Sequence, residues 1–119
     1  MAQVYSLPLR NGSDTLTEFK EELLKDNKKD LIIAIDEAIK RLQEYGFSIN
    51  QKWKRNALKK LDKELYELRQ KQARLFLYFD GNDFFIILHG FIKKSQQTPK
   101  NEIEQAKREI KRWKEEKWD

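Results

Sequence analysis

From Arg74 to Phe91 the chain reads RLFLYFDGNDFFIILHGF. Two apolar, aromatic-rich runs flank Asp80-Gly81-Asn82-Asp83, a cluster of the residues that tight turns require, so the stretch predicts a β-hairpin. The second run, Phe84 to Phe91, is apolar at nearly every position. A strand of that kind needs cover on both faces, which makes it central in a sheet with helices packed on it. Just upstream, Leu65-Tyr66-Glu67-Leu68-Arg69 predicts a shorter strand, with Tyr66 and Leu68 on one face and Glu67 and Arg69 on the other.

The rest of the chain supplies the cover. Leu16, Phe19 and Leu23 recur at helical spacing after Thr15, which with Glu18 forms a capping-box pattern. Leu31, Ile35, Ala38, Leu42 and Tyr45 form a second stripe, ended by Gly46. Val4 to Leu9 contains Pro8 and predicts at most an edge strand. Trp53 to Leu61 suggests a short helical turn. Thr98 and Pro99 suit the N-cap and first position of a last helix, whose narrow stripe is Ile103, Ala106, Ile110 and Trp113. The tail from Lys114 to Asp119 is expected to fray. The predicted fold is therefore a single α+β domain over residues 1–119, in the order β-α-α-β-β-β-α. Its small antiparallel sheet is packed by an N-terminal helical hairpin and a C-terminal helix.

Several chemistries are excluded or disfavoured. There is no cysteine and one histidine, so thiolate catalysis and zinc–thiolate sites are absent. No Gly-rich phosphate loop and no HExxH spacing occurs, and neither a metal nor a cofactor is expected. No apolar run approaches the roughly 20 residues of a membrane span, and the N-terminus lacks the charged start and apolar middle of a signal peptide. A cytoplasmic location is expected.

Charge is informative through its placement. The net charge is +5, yet Lys52 to Arg74 alone holds nine basic and three acidic residues. A localised basic patch suits a nucleic-acid or acidic partner; a solvated face with no partner is the plain alternative.

Arg69 and Arg74 flank one predicted turn. If the last two strands pair, with Phe91 roughly opposite Leu75, Lys93 and Lys94 arrive beside Arg74. Four cations at one sheet end repel each other unless an anion joins them, and a phosphodiester offers oxygens to both arginine forks and lysine ammonium groups. Clustering also lowers a lysine pKa toward that of a usable acid or base. RNA cleavage asks for little more, since a positioned 2′-hydroxyl can attack the adjacent phosphorus. Ordinary surface cations would give the same sequence. His89 lies inside an apolar strand and reads first as a hydrogen-bonded structural residue, with general-acid chemistry as the second role. Glu67 is the only acid within a predicted strand and is a further catalytic candidate. Trp53, Trp113 and Trp118 could stack on bases, although Trp113 sits on the packing stripe.

LYELR (Leu65–Arg69), Arg74-Leu75 with the aromatic strand that follows, and LHGFIKKSQQTPKNEIEQAKRE (Leu88–Glu109) resemble the phage-derived branch of HigB-like toxins in the RelE/ParE superfamily. The resemblance covers roughly residues 28–112. It implies a type II toxin that cleaves translated mRNA on the ribosome without a metal, and a helix-turn-helix antitoxin (HigA-like) as partner. It places Arg69, Arg74, Lys93 and Lys94 at the phosphate-contacting catalytic positions. It assigns Lys52, Lys54, Arg55, Lys59 and Lys60 to ribosomal RNA. Two departures stand out: several relatives carry a basic residue at the position of Glu67, and some carry a stacking aromatic where this chain has Gln96-Gln97-Thr98-Pro99-Lys100. Two alternatives therefore stand beside the nuclease: a non-catalytic RNA- or ribosome-binding module of the same fold, and a gyrase-inhibiting toxin, against which Arg74 and Lys94 argue.

Overall fold

The computed structural model describes residues 2–82 and 84–116. Five strands form one sheet: β1 (Gln3–Ser6), β2 (Leu58–Lys60), β3 (Leu65–Gln70), β4 (Ala73–Phe79) and β5 (Phe84–Ile92). Helices α1 (Thr15–Lys25) and α2 (Lys29–Tyr45) and the single turn α3 (Ile49–Lys52) precede β2, and α4 (Lys100–Glu116) follows β5. Across the sheet the strands run β1-β5-β4-β3-β2.

The α+β class is as expected, but the element order and the sheet differ from expectation. β1 pairs in parallel with β5, so the sheet is mixed rather than antiparallel. Between Trp53 and Leu61, where a helical turn is predicted, the chain forms β2. Leu58-Lys59-Lys60 is too short to show any period, and its pairing with β3 makes it a strand. Asn50 then closes the outer edge. The Leu58 N–H donates to its Oδ1 at 2.9 Å, and its Nδ2 donates to the Leu58 carbonyl at 2.8 Å. Both backbone groups of Leu58 that turn away from β3 are satisfied, which blunts an edge that could otherwise recruit a strand.

The core divides along the sheet. Phe19, Leu23, Ile35 and Leu42 of α1 and α2 pack on Leu68, Leu75, Leu77, Phe85 and Ile87. Ala106 and Ile110 of α4 pack on Leu65, Phe76, Tyr78, Ile86 and Leu88. β5 feeds both clusters, as its unbroken apolar run predicts. Each such side chain contributes about 1.5–3 kcal/mol when fully buried. Gly90 lets α1 approach: a Cβ there would meet the Phe19 ring at 2.3 Å.

The β4–β5 register shifts at Phe76/Leu77, with Phe76 opposite His89 and Leu77 opposite Ile87. Leu88 is the extra residue of this bulge. Beyond it Phe91 stands opposite Arg74 instead of the expected Leu75.

The helix starts also differ from expectation. Asp14, not Thr15, caps α1, accepting from the Thr17 N–H at 2.9 Å. Burial raises its pKa, but hydrogen bonds from Thr17, Ser6 and Leu16 outweigh it and the pKa is lowered. The Thr15 hydroxyl instead donates to the Ile87 carbonyl at 3.1 Å, tying α1 to β5. At the other end α4 begins at Lys100 and runs through Glu116, so Lys114 belongs to the helix rather than to a frayed tail. Of the predicted turn and tail, Asp83 and Lys117-Trp118-Asp119 lie outside the described residues.

Candidate nucleic-acid interface

The β3–β4 hairpin decides where the site forms. Its turn, Lys71-Gln72, is tight, with Lys71 at φ 53°. Arg69 and Arg74 therefore stand directly opposite each other, on the face that carries α4. The chain leaving β5 returns to the same turn, where the Lys93 N–H donates to the Gln72 carbonyl at 2.8 Å. Arg69, Lys71, Arg74, Lys93 and Lys94 thus line one shallow groove of about 480 Å³, and none of its lining residues is acidic. The four cations singled out from the sequence share it.

The two arginines are not loose. The Arg74 guanidinium donates through Nη1 to the carbonyls of Lys71 at 2.7 Å and Ala73 at 2.9 Å. Burial and the neighbouring Arg69 lower its pKa, against the pull of Glu67. Glu67 lies beneath the pair with 1 % of its side chain exposed, its Oε1 at 3.5 Å from Arg69 Nε and 4.0 Å from Arg74 Nε. The Thr98 hydroxyl donates to its other oxygen at 3.3 Å. That bond explains the later helix start, since the hydroxyl expected to cap α4 holds Glu67 instead. A carboxylate so enclosed is a fixed counter-charge, poorly placed to abstract a proton from a bound substrate.

His89 does not reach the groove. The bulge turns it toward α4, where Nδ1 lies 2.5 Å from a Glu109 oxygen and Nε2 3.2 Å from a Glu102 oxygen. Burial alone would lower its pKa, but the hydrogen bonds and charges of Glu109 and Glu102 outweigh it and the pKa is raised. With both ring nitrogens engaged and the residue 8 % exposed, His89 is a clamp between sheet and helix.

The basic residues assigned to RNA divide among three places. Lys52, Lys54, Arg55, Lys59 and Lys60 are all exposed. Lys59 pairs with Glu67 and shares the groove's face, whereas Lys60 pairs with Tyr66 on the opposite one. Lys52, Lys54 and Arg55 lie at the sheet's edge before β2. Lys71 lines the groove although the sequence reading did not single it out; its place in the hairpin turn was the available signal.

A second cleft, between α4 and the β2–β3 turn, has a different character. Its rim charges pair among themselves, Lys114 with Glu64 at 2.7 Å and Lys107 with Asp62 at 3.5 Å, so it offers no cluster of free cations. Trp113 packs against the α4-side core, and Trp118 lies outside the described residues. Among the described residues no group of three or more His, Cys, Asp or Glu could hold a metal ion, and no helix is long and apolar enough to cross a membrane.

Comparison with known proteins places the chain in a family. Residues 22–111 match the model of the family described as "Phage derived protein Gp49-like (DUF891)", and the chain belongs to it. A search of curated proteins gave no match.

Proposed function

We propose that this Gp49-like protein is a toxin of the RelE/HigB type, a ribosome-dependent endoribonuclease that cleaves translated mRNA. The observation that supports it most is the acid-free groove where Arg69 and Arg74, from adjacent strands, meet Lys93 and Lys94. In this reading a phosphodiester of the message lies in the groove. The 2′-oxygen attacks phosphorus as its proton leaves, the bond to the 5′-oxygen breaks, and that oxygen takes up a proton. The products are a 2′,3′-cyclic phosphate and a 5′-hydroxyl. The cations orient the phosphate and stabilise the charge that grows on its oxygens. No metal is required by this scheme. The proposed partner is a helix-turn-helix antitoxin, and the proposed location is the cytoplasm.

One observation favours a second reading. Glu67 and His89, the two residues best suited to proton transfer, are both held by other side chains. A non-catalytic module that binds RNA or the ribosome would need only the groove. Mapping of mRNA 5′ ends decides between them, using purified protein, programmed ribosomes and free RNA. New ends on ribosomes alone support the nuclease. Intact mRNA, with folded protein bound to the ribosome, leaves the binding module.

A further inference from the structure

A further cation lies round the end of the β3–β4 hairpin from the groove. Lys93 and Lys94 follow β5, Arg74 is on β4 and Arg69 on β3. Lys54, in the loop between α3 and β2, lies on the other face of the sheet, the one that carries α2. Its ammonium contacts Oε1 of Gln70, the last residue of β3. Gln70 also donates to Glu37 of α2 at 3.4 Å and is followed by Lys71 of the turn, so a polyanion that joins the groove to Lys54 passes round the hairpin end. Among the described residues Lys54 has no carboxylate within 4.0 Å. Burial and the charges of Arg74 and Lys71 lower its pKa, against the pull of Glu37. Of the groove's cations, Arg74 and Lys71 are near enough to act on it.

Lys54 also lies over an aromatic ring. Its ammonium is 5.0 Å from the centre of the Trp53 ring. Trp53 is partly exposed and packs against the core that α1 and α2 cover. An indole held by the core, with a cation above it, round the hairpin end from the groove, presents the two surfaces that single-stranded nucleic acid needs.

We infer that Trp53 and Lys54 form a nucleotide subsite beside the groove, where the indole stacks on a base of single-stranded RNA and the ammonium binds its phosphate. The inference rests on the function proposed above and deepens it. Lys54 leaves the ring for the phosphate, and the base takes its place on the indole.

The test uses the whole protein and a 2′-O-methyl RNA hexamer, which lacks the attacking hydroxyl. A chain of abasic ribose phosphates of the same length is the comparison. Binding is followed by NMR of fluorotryptophan-labelled protein, with Trp53→Phe assigning the Trp53 signal. The hexamer shifts the Trp53 signal further than the abasic chain, which draws Lys54 off the ring but puts no base on it. Trp53→Ala weakens hexamer binding about tenfold and leaves abasic binding unchanged, while Trp53→Phe retains most of the affinity. Lys54→Gln weakens both ligands and makes the salt slope shallower by about 0.7. A Trp53→Ala protein that loses both ligands equally, or neither, overturns the subsite. If Arg74→Ala weakens the hexamer while Trp53→Ala does not, the groove stands and the subsite alone falls. A folded wild-type protein that binds neither ligand overturns the subsite, while the groove reading stands or falls with cleavage on the ribosome.

Discussion

The carboxylate of Glu67 stands 3.5 Å from Nε of Arg69, with 1 % of its side chain exposed. It also faces Arg74 and accepts the Thr98 hydroxyl. One buried anion thus holds together two strands and the segment that leads into α4. Glu67→Gln keeps the shape and removes the charge, leaving two opposed guanidinium groups without their counter-ion. We expect a loss of about 2 kcal/mol in urea unfolding. A variant as stable as the parent would show that Glu67 does not balance the pair.

Arg74 has a structural role besides its charge. Its bonds to the Lys71 and Ala73 carbonyls fasten the hairpin turn. Arg74→Lys keeps the charge and loses the fork. Stability should fall by about 1 kcal/mol. The ribosome-dependent cleavage proposed for the chain should fall further than that change in folding explains. Full cleavage by Arg74→Lys would reduce the guanidinium to a point charge.

The His89 clamp predicts a pH dependence. The folded protein raises the His89 pKa through Glu109 and Glu102, so folding favours the protonated ring. That contribution is fully present below the unfolded value of about 6.5 and is lost as pH rises through the raised folded value. Wild-type stability measured relative to His89→Gln should therefore decline as the solution is made more alkaline than the unfolded pKa. A difference that stays flat or grows would show that the ring is held neutral.

Gly90 predicts a packing limit. An added Cβ would meet Phe19 at 2.3 and 2.5 Å and Leu75 at 2.8 Å. Gly90→Ala must push α1 from the sheet, at about 1–3 kcal/mol, read as a lower melting temperature. Pairing it with Phe19→Leu should recover part of the loss. If the double variant shows only the sum of the two losses, the contact is not the cause.

Asn50 predicts a defect in association. Asn50→Ala frees the N–H and carbonyl of Leu58 on the sheet edge. Concentration-dependent self-association should appear in sedimentation, and a strictly monodisperse variant would leave the edge-sealing role without support.

What was legible in the sequence follows from how local each signal is. The Phe84–Phe91 run, the Asp80–Asn82 turn and the two helical stripes are local patterns, and each formed where its residues predict. The convergence of Arg69, Arg74, Lys93 and Lys94 followed from strand pairing alone. β2 was not legible, because three residues with two adjacent lysines have no period and became a strand only beside β3. The orientation of His89 was hidden because it depends on the bulge at Leu88, which breaks the alternation of β5. The Thr98–Glu67 bond joins residues 31 positions apart, so a cap predicted from its neighbours lost to a distant carboxylate. The parallel pairing of β1 was equally non-local, since α1 and α2 intervene in the chain.

The most direct test is single-turnover cleavage of ribosome-bound mRNA by wild type, Arg69→Ala, Arg74→Ala and Lys94→Ala, each shown to be folded and ribosome-bound. If the groove performs the reaction, wild-type protein leaves a 5′-hydroxyl end at a defined position. Each variant should then slow that step by about 10²–10³-fold while still binding the ribosome. Equal rates in all four proteins, or no cleavage by the wild type under conditions where it binds, would contradict the assignment.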